Sequence, residues 1–358
     1  MKVVFTLFFI LLIFGLVVLA SAGLIDAQRR FDQPYYYLWH QLLYGVLPGC
    51  LVMFLFSKMP IARWRTFALP ILVIAIGLMV LVMVPGIGLS IKGASRWLDL
   101  RIVTVQPAEF LKFALIIYLA AWFGGRHEHA HKIVALVPFL LILGFVGLLL
   151  ALQPDFGTLG IVVLISVALY FFSGAKLSHF VALLTIFLIG ALVLSFAAPY
   201  RFDRIKTFLN PHEDKQATGY HLNQAKIAIG SGGMLGVGYG HSRQKAGFLP
   251  EPVGDSIFAI MVEELGLVGG AGFLLLLLAF LISLLRLGVQ TNDPFARLIV
   301  LGVAVWIGGQ AFINIAAITG LLPLTGIPLP LMSYGSSQLV SIMGTMGVVW
   351  KVASRAAT

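Results

Sequence analysis

An all-α polytopic membrane protein is the fold class the sequence predicts, and three observations predict it. Hydrophobic residues fill 60% of the 358 positions and charged residues 11%, with a mean hydropathy of +1.01. A soluble domain carries about 25% charged residues, so lipid is the solvent for most of this chain. Apolar runs long enough to cross about 30 Å of hydrocarbon recur along it, each bounded by charge, proline or glycine. Lys and Arg also fall unevenly between alternate loops.

Ten spans are expected, at residues 3–23, 38–57, 67–85, 107–124, 133–152, 156–173, 178–198, 257–285, 296–318 and 330–350. The first follows Lys2 and precedes Ala20-Ser21-Ala22, whose small residues would equally suit a signal-peptidase site. At about 18 residues the run exceeds the 7 to 15 of a signal core and reads as a retained helix. An even number of spans puts both termini on one side. Loops there carry Lys2, Lys58, Arg63, Arg65, Arg126, Lys132, Lys176, Arg286, Arg297, Lys351 and Arg355 against Glu128 and Asp293, which makes that side cytoplasmic. The net charge of +10 is thereby explained by loops facing anionic lipid, and nucleic acid is excluded as a partner. Cys50 stands alone, so no intrachain disulfide or cysteine metal cluster forms.

The chain reads as a single membrane domain, 1–358, in which residues 199–256 form a long external loop carrying part of the active site. Residues 85–106 form a second, shorter external segment. A loop of such length has structure of its own or a task. Within it, His221 to Met234 suits a short amphipathic helix at the membrane interface.

Several motifs carry chemistry or a plainer alternative. GGMLGVGYG (Gly232 to Gly240) lacks the Lys-Ser/Thr ending of a phosphate loop and reads as a turn allowing close backbone approach. RHEHAHK (Arg126 to Lys132) sets His127 and His131 at i, i+4, a metal-binding spacing, but a solvated topology anchor explains it as well. In QPAEFLK, Glu109 and Lys112 share one face of a helix begun by Pro107, either to neutralise each other or to act. Asp155 in QPDFGT suits a helix cap. Pro252 suits a first helical turn, which would contain Asp255 and leave Glu263 and Glu264 about two turns deeper; Asp255 is then a cap or a working carboxylate. Arg96, Arg201, Arg204, Lys206, Arg243 and Lys245 lie on the outer face and suit phosphate or pyrophosphate, or are ordinary loop charges.

GASRWLDL, QPAEFLKF, LQPDFGTLG, the run from Asn223 to Gly266 and TGLLPLTGIPLPLMSYGSSQ together resemble the SEDS family (shape, elongation, division and sporulation), and within it the RodA elongation branch. Two departures stand out: the family usually has an aromatic after the aspartate where Ser256 stands, and two glycines after the closing tyrosine where Gly335 and Ser336 stand. The resemblance implies a peptidoglycan glycosyltransferase that polymerises lipid II on the outer face of a bacterial cytoplasmic membrane during elongation. It implies Asp255 as general base for the attacking sugar hydroxyl, with Lys112, Arg96 and Lys245 toward substrate phosphate and Glu109 and Asp155 for orientation or helix support. No cofactor is evident; a divalent cation would suit the pyrophosphate, but no ligand cluster is recognisable. The implied partners are lipid II, the polyprenyl pyrophosphate-linked glycan, membrane lipid and a class B penicillin-binding transpeptidase. A lipid II flippase and a non-catalytic scaffold are the rival readings, and the first would need polar groups running into the cytoplasmic half.

Overall fold

The computed structural model describes residues 1–91, 94–99, 101, 103–124, 133–175 and 218–356, with the single positions 181, 185, 190 and 208. The expected span 178–198, the histidine motif 126–132, and Arg201, Arg204 and Lys206 lie outside the described residues. The other nine expected spans all coincide with helices. These are α1 (Lys2–Ala22), α3 (Tyr36–Gln41) continued through a π-helical turn into α4 (Leu47–Lys58), α5 (Ile61–Leu81), α6 (Pro107–Gly124), α7 (Ile133–Leu152), α8 (Phe156–Phe172), α10 (Ile257–Gln290), α11 (Pro294–Thr319) and α12 (Ser336–Ala356). Two further helices are α2 (Leu24–Phe31) and α9 (Thr218–Ser231). The π turn at Leu42–Val46 has a cause in Pro48, which supplies no N–H and crowds the carbonyl four residues back.

The segment after α5 folds as a small antiparallel sheet of β1 (Gly88–Ile91), β2 (Ala94–Asp99) and β3 (Thr104–Val105), in that order. Gly88 stands opposite Leu98, and Leu98 opposite Val105. Nothing in the sequence reading assigned strands here.

Helix α6 lies at the centre, packed by α5, α8, α11 and α12. Its residues Leu111, Ala114, Leu115, Ile116, Ile117 and Ala120 are buried. Helix α1 runs against α10, with Phe14 stacked on Phe273 and Phe8 near Phe280. Lipid is as apolar as these side chains, so close packing rather than expulsion from water holds the helices together.

Besides α5, which runs from Ile61 to Leu81 rather than 67 to 85, three features differ from the sequence expectation. Helix α10 begins at Ile257 rather than near Pro252, leaving Asp255 in the turn before it. The carbonyls of Val253, Gly254 and Asp255, which an earlier helix start would use, accept instead from Tyr334 N (2.8 Å), Ser333 Oγ (2.6 Å) and Asn314 Nδ2 (2.9 Å). Helix α12 begins at Ser336, not 330, because Pro328 and Pro330 keep the preceding chain extended and Leu331 adopts φ 66°. Helix α9 is present where an interfacial helix was expected, but Leu222, Ala225 and Ala228 are buried against α10 and α11.

The 34 residues of α10 are broken at Gly266 (φ 70°, ψ −172°). A helix break exposes backbone groups that lipid cannot satisfy. The glycine-rich loop after α9 supplies the partners: Val237 N and Gly238 N donate to the Glu263 and Glu264 carbonyls (3.0 and 3.1 Å). Leu267 N and Val268 N donate to Gly233 O and Met234 O (2.9 and 3.1 Å). A Cβ on Gly236 would overlap the Glu264 carbonyl, and one on Gly266 would overlap Gly236 N. Gly236→Ala and Gly266→Ala should each destabilise the protein by at least ~2 kcal/mol, because they add overlap to a positive-φ penalty of about 1 to 3 kcal/mol. Gly272→Ala, with open space around its Cβ in the same helix, should not. Thermal unfolding in detergent measures this, and equal midpoints for all three variants would show that the break is not held by the loop.

Candidate functional site

At the end of the bundle where α1 finishes and α10 begins, four polar groupings meet around the loop between α11 and α12. The first is the ion pair of α6. Pro107 opens that helix, Glu109 lies in its first turn, and Lys112 Nζ donates to Glu109 Oε1 at 2.8 Å with both side chains almost wholly buried. The same ammonium donates to Gln310 Oε1 (2.8 Å) and lies 5.0 Å above the Trp306 ring.

The second grouping is a stripe on α11. Trp306, Gln310 and Asn314 recur every four residues and therefore share a face. Trp306 Nε1 donates to Gln310 Oε1 (2.9 Å), and Gln310 Nε2 donates to the Pro328 carbonyl (3.0 Å). One turn on, Asn314 Nδ2 donates both to the Ile327 carbonyl (2.7 Å) and to the Asp255 carbonyl (2.9 Å). The stripe thus ties the α6 ion pair, the 325–328 loop and the Asp255 turn into one network.

The third grouping is built on Asp155. It caps α8 by accepting from Thr158 N (3.2 Å), and Arg96 of β2 reaches it at 3.9 Å. Arg96 also donates from Nε to the Gln153 carbonyl (3.1 Å) and from Nη2 to the Pro154 carbonyl. Gly157, two residues on, abuts Ile327 and the Thr325 carbonyl, so this turn flanks the loop that Gly326 brings beside Asp255 Oδ2. Glu109 Oε2 and Asp155 Oδ2 each lack a hydrogen-bond partner among the described residues.

Asp255 itself is partly exposed, its side chain retaining 15% accessibility. His221 of α9 approaches it, with Nε2 4.0 Å from Asp255 Oδ1 and 2.6 Å from Ser256 Oγ. On the loop before α12, Tyr334 hydrogen-bonds His40 Nδ1 (2.9 Å), and burial pushes its phenol well above the usual range, which keeps it protonated.

Lys245 lies elsewhere. Its ammonium donates to Glu264 Oε1 (2.6 Å) and Ser21 Oγ (2.9 Å), buried between α1 and α10. Glu263 accepts from Ser242 Oγ, Arg243 N (3.0 Å) and Gln244 N (3.4 Å). Lys245 and Lys112, both expected toward substrate phosphate, are thus each engaged by a protein carboxylate. Both ammonium groups are buried and turned to protein acceptors. Of the three cations assigned to phosphate, Arg96 alone is appreciably open, at 33% accessibility, and its guanidinium has N–H donors beyond those it uses among the described residues. No group of three metal-ligating side chains occurs among the described residues.

Sequence reasoning missed Gln310, Asn314, His221 and the role of Ser256. A signal for the first two was present: amides four residues apart in an otherwise apolar span are costly unless partnered.

With this geometry in hand, the relationship to known proteins is direct. A family model described as "Cell cycle protein", spanning FtsW, RodA and SpoVE, matches residues 1–358. The chain belongs to the SEDS family. It is 37% identical over 344 residues to the stage V sporulation protein E of Bacillus subtilis, covering 96% of this chain and 94% of that one. A probable peptidoglycan glycosyltransferase FtsW of Coxiella burnetii is 36% identical over 348 residues, covering 96% and 93%. Among solved structures, a chain of a peptidoglycan synthase complex, solved for its structural coordination of polymerization and crosslinking, matches at TM-score 0.78 and 27% identity, covering 96% of each chain. The Thermus thermophilus rod shape determining protein RodA, as a D255A mutant, matches at TM-score 0.74 and 25% identity over 99% of this chain and 97% of that one. This SEDS protein is thus a multi-pass, all-α membrane protein.

Separating the two partners of the α6 pair should expose their coupling. Lys112→Met leaves Glu109 buried without its cation and should cost about 3 to 5 kcal/mol. The double variant Glu109→Gln/Lys112→Met should recover most of that, but not the ~1 kcal/mol held in the Gln310 bond. Unfolding midpoints of the two single variants and the double variant decide it; a double variant no better than Lys112→Met would mean that the charges do not act as a pair.

Proposed function

We propose that this SEDS protein is a peptidoglycan glycosyltransferase that polymerises lipid II at the outer face of the cytoplasmic membrane, with Asp255 as its general base. The observation that carries the reading is the placement of a partly exposed carboxylate on a non-helical turn whose backbone is pinned from two sides. A general base must be reachable and must be held still relative to the proton it removes. The names borne by the FtsW relatives support the same activity.

In this reading the hydroxyl oxygen of one lipid-linked sugar attacks the anomeric carbon of the other. The bond to the pyrophosphate oxygen breaks, its electron pair leaves with the pyrophosphate, and the hydroxyl proton passes to Asp255. A single displacement of this kind inverts the anomeric centre. Arg96 is a described cation with donors to offer the departing phosphate, while Glu109, Lys112 and Asp155 hold the loop and turn that flank the carboxylate.

The likeness to a chain of a peptidoglycan synthase complex supports a class B penicillin-binding transpeptidase as partner. An elongation role is the finer part of the reading. It draws on the fold likeness to RodA at 25% identity, against 36% and 37% to the FtsW and SpoVE relatives. A transporter reading is less well supported, because the buried charged groups among the described residues, Glu109 with Lys112, Glu264 with Lys245, Glu263 and Asp155, gather at one end of the bundle.

Labelled lipid II supplied to the purified protein with its transpeptidase should yield glycan polymer from the wild type, and from Asp255→Asn at least ~100-fold less. Equal polymer from both would remove Asp255 as the base. Lipid movement across vesicles without polymer from the wild type would favour the flippase. Depletion strains of elongation and division, each supplied with this chain, separate the two cellular roles by which morphology is restored.

A further inference from the structure

Ser256 occupies the N-cap of α10, where a serine hydroxyl ordinarily accepts from a backbone N–H two or three residues on and stabilises the helix by about 1 kcal/mol. Here it makes no such bond. The fully buried hydroxyl is turned the other way, 2.7 Å from the Pro250 carbonyl and 2.6 Å from His221 Nε2. The hydroxyl has one proton. A carbonyl oxygen can only accept, so that proton goes to Pro250 O, since otherwise two acceptors would face each other at 2.7 Å. The bond to His221 must then run from the ring, which fixes the imidazole proton on Nε2. The resulting chain, His221 Nε2–H to Ser256 Oγ–H to Pro250 O, spans the turn that contains Asp255. It also holds the ring nitrogen 4.0 Å from Asp255 Oδ1.

We propose that His221 is a positioning residue for the Asp255 carboxylate, acting through the Ser256 hydroxyl. This rests on the reading of Asp255 as general base. The backbone bonds from Asn314, Ser333 and Tyr334 fix the inner side of the 253–256 turn, and the His221–Ser256 chain fixes its other side from α9. With both sides held, the backbone that carries the carboxylate has a defined position. Releasing one side lets the base wander by a fraction of an ångström, and misplacement on the order of 1 Å can cost about a hundredfold in rate. Substrate binding, made elsewhere, should hardly change.

The test is steady-state polymerisation of labelled lipid II by the full chain with its transpeptidase, in the wild type, His221→Ala, His221→Gln, Ser256→Ala and the double variant His221→Ala/Ser256→Ala. Unfolding midpoints are measured on the same samples. His221→Ala is expected to lower kcat about tenfold to a hundredfold while KM and the midpoint stay near wild type. His221→Gln, which keeps a donor, should recover kcat to within a few fold. Ser256→Ala should match His221→Ala, and the double variant should be no worse than either. A kcat for His221→Ala within twofold of wild type would overturn the proposal, as would a loss that tracks the midpoint or one that adds to that of Ser256→Ala. Asp255→Asn separates the two readings. If it is inactive while His221→Ala is unimpaired, the positioning role fails and the base stands; if Asp255→Asn is fully active, the base reading itself fails whatever His221 does.

Discussion

Three carbonyls in a row, at Val253, Gly254 and Asp255, accept from groups outside their own helix. At the edge of a bilayer a backbone carbonyl without a partner costs several kcal/mol, so a turn can interrupt a helical bundle there only if protein donors are supplied. The α11–α12 loop supplies two, through Tyr334 N and Ser333 Oγ, and Asn314 the third. In return the turn gives that loop a fixed seat. The position of Asp255, the late start of α10 and the extended course of residues 325–335 are therefore one structural fact.

Asn314 depends in turn on what surrounds it. Its single amide nitrogen bridges the Asp255 and Ile327 carbonyls, and Gln310 one turn earlier takes Pro328. Gln310 faces Lys112, whose charge is matched by Glu109. Burying either ion alone costs several kcal/mol, more than a neutral hydrogen bond of ~1 kcal/mol returns, so the pair is poorly explained as a device for stability. Its geometry offers a better account. A charged donor to Gln310 Oε1 fixes which way that amide points, so the Nε2 end must face the loop. Orientation, rather than net free energy, is what the ion pair contributes.

Much of this was legible in the sequence. Nine helices stand within a few residues of the expected apolar runs, because the length and polarity of a bilayer leave little choice. The Glu109–Lys112 contact follows from i, i+3 spacing, and Asp155 as a cap follows from its place before an apolar run. The rest turned on contacts between distant residues. Nothing near Lys245 in sequence says that Ser21 and Glu264 will enclose it, and so its charge read as available. Pro252 looked like a helix start because the competing donors lie some 80 positions away, at Ser333 and Tyr334. The strands at 88–105 carry too short an alternation to separate from loop. Ser256 was visible as a departure, but its meaning needed His221 beside it.

The break at Gly266 extends the same logic to the other side of the site. An unbroken α10 would leave the glycine loop after α9 without acceptors. With the break, that loop and the broken helix exchange hydrogen bonds on both sides of Gly266. Helix α9 is thereby anchored to α10 at its far end, through the loop, and near its start, through His221 and Ser256. A helix fixed at two points along one neighbour cannot slide or rotate independently of it. The carboxylate of Asp255 consequently sits between two rigid bodies, α9 with the first part of α10 on one side and α11 with the 325–335 loop on the other. The backbone position of Asp255 is set by how these bodies are joined.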